Sequence, residues 1–280
     1  MKKIECHKYH ALGNDFLIID QIMKPKLAVD AEKLVQKICH RNTGVGADGI
    51  LLLRKSKKAD FAMDIYNSDG SWAEKSGNGL RIATAYCHET YFSKKHLSVE
   101  TASDIASARI IRVKDGNFMI KVSLGKPSFE ANQVPIKSAF RYHINRPIKI
   151  EGDNLIATAL SVGNPHIVVF VDNFDFDWKT LGCKIENDRI FSNRTNVEFV
   201  KVINKSKVIL NDWERGAGAT SSSGTGAAAS VVAGAVNGFL VRKAEVVFPL
   251  GSLFIDWSEK DDCVYLTGPV RFVCKCEYSL

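Results

Sequence analysis

No run in this 280-residue chain approaches the roughly 20 consecutive apolar residues that a membrane-spanning helix needs. The start, Met1-Lys2-Lys3-Ile4-Glu5-Cys6-His7, lacks the apolar core of a secretory signal, so a cytoplasmic protein is expected. There is no low-complexity segment and no continuous basic face. Net charge is +7, but the lysines and arginines are scattered, apart from small clusters such as Arg54-Lys55-Ser56-Lys57-Lys58. That spread argues against nucleic acid as a partner and for attraction of small anionic metabolites. A disulfide framework is missing too. The seven cysteines (Cys6, Cys39, Cys87, Cys183, Cys263, Cys274, Cys276) are odd in number and follow no regular spacing. Cys274 and Cys276 stand too close along one strand to bridge easily, so reduced thiols are expected. Finally, there is no Gly-x-Ser-x-Gly elbow and no histidine beyond His166, which removes one serine-hydrolase pattern.

What the chain does have is length enough for two domains of about 130 residues each. A 45% hydrophobic and 25% charged composition is that of an ordinary globular protein. Strand-like stretches dominate: Phe16 to Asp20, Ile50 to Leu53, Phe61 to Tyr66, His96 to Glu100, Ala106 to Val113 and Phe118 to Val122. Asp115-Gly116-Asn117 reads as a hairpin turn. Ala31 to His40 is helix-like, with Leu34, Val35 and Ile38 on one face. Gly125 to Pro135 is the candidate linker. The second half repeats the style, with strands at Leu155 to Val162, Ile167 to Val171, Asn196 to Val202 and Lys207 to Trp213. A helix is expected over Trp178 to Glu186. Further strands are expected at Ala244 to Phe248, Leu253 to Trp257, Val264 to Thr267 and Arg271 to Cys276. Each half holds one long central helix. The expected boundaries are 1–127 and 128–280, with the strand 270–276 packing back on the first domain.

Two segments half a chain apart repeat one loop: Ser76-Gly77-Asn78-Gly79 and Ser223-Gly224-Thr225-Gly226. Each lies between a strand-like and a helix-like stretch. Glycines at a helix start let backbone N–H groups turn toward a ligand, and the helix terminus gives those donors a partial positive charge. The repetition points to a duplicated domain and to an anion, with the small residue opening each loop on opposite sides of it. Polar turns accompany the loops: Gly13-Asn14-Asp15, Tyr66-Asn67-Ser68-Asp69-Gly70-Ser71 and Gly163-Asn164-Pro165-His166. Asparagine and aspartate are good turn formers, but an asparagine amide also offers a donor and an acceptor to an amino acid. His166 alone reads as a structural histidine. Gly44-Val45-Gly46-Ala47-Asp48-Gly49 lacks the preceding strand of a dinucleotide loop. In Glu214-Arg215-Gly216-Ala217-Gly218, Arg215 is suited to grip a carboxylate and Glu214 to accept from an ammonium; the plain alternative is a pair of solvated charges.

Taken in order, these motifs resemble the diaminopimelate epimerase family over nearly the whole chain. They run from His10-Ala11-Leu12-Gly13-Asn14-Asp15-Phe16, through Arg41 to Gly49, Tyr66 to Ser71 and Ser76 to Gly79. Gly163 to His166, Arg194-Thr195-Asn196-Val197, Glu214 to Gly218 and Gly224-Thr225-Gly226 continue the match. Gly251-Ser252-Leu253 and Gly268-Pro269-Val270 close it. The resemblance implies an α/β (α+β) fold of two similar domains, each a mixed, mostly antiparallel sheet rolled around a central helix. It implies cofactor-independent epimerisation at an amino-acid α-carbon, interconverting LL- and meso-diaminopimelate for lysine and cell-wall synthesis, with no metal. The partner is then a small amino acid, and a homodimer is left open. Ser76 and Ser223 stand at the catalytic positions. Asn14, Asn67, Gly77, Asn78, Asn164, Asn196, Glu214, Arg215, Gly224 and Thr225 are the substrate-binding candidates, with the α-carboxylate on the backbone N–H groups of the two loops.

At both catalytic positions the family's pattern has cysteine, whose thiol is acidified by a helix N-terminus. Serine is a far weaker acid. Three readings stand side by side: a double cysteine-to-serine exchange that traps substrate, a natural isomerase of another amino acid using serines, and a non-catalytic amino-acid binder. Gly49 is a second departure, where the family motif often continues with glutamine.

Overall fold

A computed structural model describes residues 3–23, 30–102 and 104–280. The chain divides into two compact units, Met1–Ser123 with Thr267–Leu280, and Leu124–Leu266.

The first series of elements is β1 (Lys3–Ala11), β2 (Asn14–Gln21), α1 (Ala31–Ile38), β3 (Gly49–Arg54), β4 (Phe61–Asn67), β5 (Trp72–Ala73), α2 (Gly77–Thr90), β6 (His96–Glu100), β7 (Ile105–Lys114) and β8 (Asn117–Gly125). β1 is antiparallel to β2, β2 parallel to β3, β3 antiparallel to β4, and β4 parallel to β6. β6, β7 and β8 follow as an antiparallel run. Parallel neighbours need a crossover, and α1 and α2 supply the two required. The expected helix α1 buries Leu34, Val35 and Ile38 as its spacing dictates. In α2, by contrast, every residue from Gly77 to Cys87 is buried.

The second series is β9 (Arg146–Ile150), β10 (Asp153–Ser161), β11 (Pro165–Phe170), α3 (Trp178–Asn187), β12 (Asn196–Asn204), β13 (Lys207–Glu214), β14 (Gly218–Ala219), α4 (Gly224–Val236), β15 (Lys243–Phe248), β16 (Gly251–Trp257) and β17 (Val264–Ser279). Its joins repeat those of the first: β10 antiparallel to β11, β11 parallel to β12 across α3, β12 antiparallel to β13, β13 parallel to β15 across α4, and β15 antiparallel to β16. The two-residue strands β5 and β14 pair with β4 and β13 just ahead of the long helices. The fold is therefore the mixed α/β duplication that the paired loops implied. β17 pairs with β8 and runs antiparallel to β1, which closes the first unit's sheet into a ring around α2.

α4 is enclosed in the same way and packs against β10, β11, β12, β13, β15 and β16. Gly224 to Gly234 are all buried, so no face of this helix is available for long polar side chains. Its run of alanine, serine, glycine and valine follows from that enclosure. The strands close tightly over α4 and leave room along it only for small side chains.

Several elements differ from the sequence expectation. β1 was not anticipated, because its buried residues are Ile4, Cys6, Tyr9 and Ala11, and a register shift at Lys8/Tyr9 breaks their alternation. β9 was also missed. The stretches Val264 to Thr267 and Arg271 to Cys276 belong to one 16-residue strand, β17. Leu266, Gly268 and Val270 keep alternating inward across Gly268-Pro269, leaving Pro269 on the other face. The expected Gly-Asn-Asp turn instead centres on Leu12 and Gly13, with φ of 52° and 88°, so Asn14 already belongs to β2.

Enclosure makes a stability prediction. Ala228, fully buried in α4, has no space for added volume, so Ala228→Leu is expected to cost about 1–3 kcal/mol in urea denaturation. Lys33→Leu on α1, where the side chain is 83% exposed, is expected to stay within about 0.5 kcal/mol.

Candidate functional site

The two repeated loops become two helix N-termini of one design. Ser76 and Ser223 are the N-caps of α2 and α4, both with extended backbone. Ser76 Oγ accepts from Gly79 N at 3.0 Å and Ser223 Oγ from Gly226 N at 3.1 Å. The other two helices are capped by aspartates, Asp30 on α1 and Asp177 on α3. Neither α2 nor α4 carries a carboxylate in its cap or first turn. Their positive ends are thus not neutralised by their own side chains, which is the arrangement that accepts an incoming anion. The last glycine of each loop is set by crowding. A Cβ at Gly79 would stand 3.1 Å from Leu51 Cδ2, and one at Gly226 would stand 3.0 Å from Glu198 Oε1 and from Ser223 Oγ.

In the first unit a hydrogen-bonded chain ends on α2. Arg81 is fully buried one turn into that helix, where Nη1 donates to Gly77 O at 3.1 Å and Nη2 to Asn78 Oδ1 at 2.7 Å. Asn78 Nδ2 donates to Asn14 Oδ1 at 2.9 Å, and Asn14 Nδ2 to Asp48 Oδ2 at 2.8 Å. Beyond lies an ionic cluster in which Arg41 reaches Asp15 and Asp48, at 2.9 and 2.7 Å, and Lys8 reaches Asp15 at 2.8 Å. Burial works against the Asp15 carboxylate, but Arg41 and Lys8 outweigh it and hold its pKa below the usual value. Burial lowers the pKa of Arg81 to about 9, which leaves it cationic at neutral pH. Asn67, at the end of β4 and across from Gly49, bonds outside this chain, its Nδ2 donating to Ser71 Oγ at 3.0 Å. Opposite it, a side chain at Gly49 would put its Cβ 2.3 Å from Tyr66 O, so strand approach explains the glycine there.

The second unit gathers acids instead. Asn164 Nδ2 donates to Thr225 Oγ1 at 3.3 Å, in the place of the Asn14–Asn78 contact but with the donor on the other side. Asn164 Oδ1 lies 2.8 Å from His166 Nε2, and His166 Nδ1 lies 2.7 Å from Glu198 Oε1. His166 and Glu198 are fully buried, and Glu198 Oε2 has no partner among the described residues. Burial pushes the Glu198 carboxyl up, with His166 pulling it back. Glu214 and Asp212 share Thr220, whose Oγ1 lies 2.7 Å from Glu214 Oε1 and 2.5 Å from Asp212 Oδ2. One hydroxyl has a single proton to donate, so a second proton must come from a carboxyl. Asp212 lies where the neutral form is favoured. Burial, and then the charges of Glu214 and Glu198, raise its pKa well above the ordinary range. The Thr220 hydroxyl donates toward this acidic pair.

Asn196 is buried and ties backbone together, its Nδ2 donating to Pro165 O at 2.7 Å and its Oδ1 accepting from Arg215 N at 2.9 Å. Arg215 Nη1 reaches Asn193 O at 3.4 Å. Glu186 braces the next turn, accepting from Gly216 N and Trp213 Nε1 at 2.9 and 2.7 Å and pairing with Arg194 at 2.9 Å. Sequence reasoning did not single out Arg81, Glu198, Asp212, Thr220 or Glu186. Only Asp212 left a signal, two residues before Glu214 and on the same strand face.

Among the described residues no group of three or more His, Cys, Asp or Glu side chains is placed to hold a metal ion, and no helix is long and apolar enough to cross a membrane.

Comparison with known proteins places these features in context. A family model described as diaminopimelate epimerase matches residues 6–130 and 158–273. A diaminopimelate epimerase of Carboxydothermus hydrogenoformans is 43% identical over 280 residues, covering 99% of this chain and 100% of its own length. One from Desulfitobacterium hafniense is 40% identical over 275 residues, with 97% of each chain covered. Among solved structures, a hydroxyproline epimerase from Agrobacterium vitis aligns with a TM-score of 0.69 at 15% identity, covering 99% of this chain and 91% of that one. That last likeness speaks for the fold.

The raised pKa of Asp212 has a pH signature. An acid with a raised native pKa favours the folded state at low pH, and that contribution is lost as pH rises from about 4, the unfolded value, through the native value. Asp212→Asn removes this titration. In thermal melts across a pH series, the unaltered protein is expected to lose stability relative to the variant above about pH 4. Parallel curves would show that Asp212 is ionised in the folded protein.

Proposed function

This chain belongs to the diaminopimelate epimerase family, and we propose that it binds diaminopimelate at Asn14, Asn67, Gly77, Asn78, Asn164, Asn196, Glu214, Arg215, Gly224 and Thr225. Ser76 and Ser223 occupy the proton-transfer positions. The observation that carries this reading is the pair of enclosed helices whose hydroxyl-capped N-termini have no carboxylate in the first turn, while α1 and α3 are capped by aspartates. Loss of an α-proton from an amino acid moves negative charge onto its carboxylate. Helix N–H donors placed for that charge stabilise the carbanion without reorganising.

Proton transfer is the weak step. Both serine oxygens accept a backbone N–H, which favours the alkoxide, but a hydroxyl remains a far weaker acid than a thiol. The chain therefore keeps the electrostatic half of the machinery and epimerises poorly. The serines equally favour a second reading, an amino-acid binder that performs no chemistry. We propose the cytoplasm as its compartment.

Exchange of the diaminopimelate α-hydrogen in deuterated water, followed by NMR, tests this. The unaltered chain is expected to exchange slowly or not at all, with each positioned acid–base group worth about 10²–10⁴-fold. Ser76→Cys is expected to restore slow exchange, and adding Ser223→Cys to restore turnover. If the double-cysteine form binds diaminopimelate and stays inert, the binder reading stands. Turnover at ordinary enzyme rates by the unaltered chain would show that its serines are activated. Arg215→Ala is expected to weaken diaminopimelate binding by about 2–5 kcal/mol in calorimetry; unchanged affinity would remove Arg215 from the site.

A further inference from the structure

The chain of side chains in the first unit has a direction. Arg81 can only donate hydrogen bonds, and an ionised Asp48 can only accept them. Between them stand two amides, each free in principle to face either way. With Arg81 Nη2 at 2.7 Å, Asn78 must turn its oxygen toward the guanidinium and its nitrogen toward Asn14. Asn14 must then turn its oxygen toward Asn78 and its nitrogen toward Asp48, at 2.8 Å. Reversing either amide sets donor against donor or acceptor against acceptor at both of its contacts. Asp48 is itself fixed, since Arg41 Nη2 holds Oδ1 at 2.7 Å and Asp15 N donates to Oδ2 at 3.0 Å.

Arg81 is an unusual choice for a purely structural place. Its side chain is fully buried, and among the described residues Nε has no partner and no carboxylate pairs with the guanidinium. A buried cation without a counter-charge destabilises the fold. Its contacts are all made at the helix N-terminus, to Gly77 O and Asn78 Oδ1.

We propose that Arg81 and Asp48 are positioning residues that impose one amide orientation on Asn78 and Asn14, and so set which of their atoms meet the ligand. The relay uses one of the two N–H groups of Asn14 and one of the two lone pairs on its oxygen. A substrate presenting a carboxylate and an ammonium then meets a fixed pattern of donor and acceptor. The role assigned to the asparagines rests on the proposed function, but the relay itself does not.

The test has one arm without ligand and one with it. In the unliganded protein, the ¹⁵N side-chain amide signals of Asn78 and Asn14 are expected to shift together in Arg81→Met, while that of Asn67, outside the relay, stays in place. Arg81→Lys keeps a donor for Asn78 and is expected to return both signals toward their original positions. With diaminopimelate as the probe, calorimetry is expected to show about a tenfold weaker affinity for Arg81→Met, recovered in part by Arg81→Lys. A shift at Asn78 with none at Asn14, or methionine and lysine variants that behave alike, would overturn the proposal. If the unaltered chain fails to bind diaminopimelate, the substrate reading falls and the amide signals alone decide the relay. Should Arg81→Met not fold, Asp48→Asn reads the chain from its other end: coupled shifts at Asn14 and Asn78 support it, and a shift confined to Asn14 overturns it.

Discussion

Each unit is organised around a helix that sheet encloses on all sides, and most of what is distinctive about the chain follows from that enclosure. A helix with no solvent face cannot hydrate its terminal N–H groups. It must find acceptors for them locally or leave them for a ligand. Ser76 and Ser223 supply one acceptor each. The lack of a carboxylate in the first turn of α2 or α4 leaves the dipole's positive end available, in surroundings where water screens it little. The same enclosure dictates small residues along α4 and glycine at Gly79 and Gly226, where a methyl group would crowd Leu51, Glu198 or the capping serine.

On this shared frame the two halves carry opposite chemistry. The first unit places a buried guanidinium behind its helix start and, at the far end of the asparagine relay, an ionic cluster of Lys8, Arg41, Asp15 and Asp48. The second collects carboxyls near its helix start and along β12 and β13: Glu198 against His166, and Asp212 with Glu214 through Thr220. Both units join an asparagine to the loop, in opposite senses: Asn78 of the loop donates to Asn14, whereas Asn164 donates to Thr225 of the loop. The groups that orient that asparagine differ. One is held by a donor-to-acceptor relay, the other by His166, which Glu198 backs at 2.7 Å in a dry interior. Hydroxyl-capped helix termini are thus common to both units, while the buried pairing of Asp212 with Glu214 through one hydroxyl belongs to the second.

Much of the fold could be read from local pattern. Strands whose apolar residues form a single run or a strict alternation, such as Ile50 to Leu53 or Phe118 to Val122, lie where expected, and so does α1 with its face of Leu34, Val35 and Ile38. The misreadings share a cause. In β1 a register shift changes which residues face inward, and that shift is imposed by the partner strand β17. In β17 a Gly-Pro pair reads as punctuation, yet the strand continues because Pro269 falls on the face where no core residue is needed. Local signals cannot encode either event, since both depend on a neighbour distant in sequence.

The repeated loops, their helix starts and the polar turns around them were determined by sequence alone, because glycine, serine and asparagine act through backbone conformation and caps within a few residues. Only the tertiary structure decided which polar side chains would be buried and with whom. Arg81 reads as an ordinary helix residue until the sheet closes over it, and Glu198 as an outward strand residue until His166 is brought beside it from 32 positions away. The Asp212 carboxyl is pushed toward its neutral form only because folding strips water from it and sets Glu214 and Glu198 nearby. Burial and charge proximity are properties of the folded chain in space, and no local run of residues carries them.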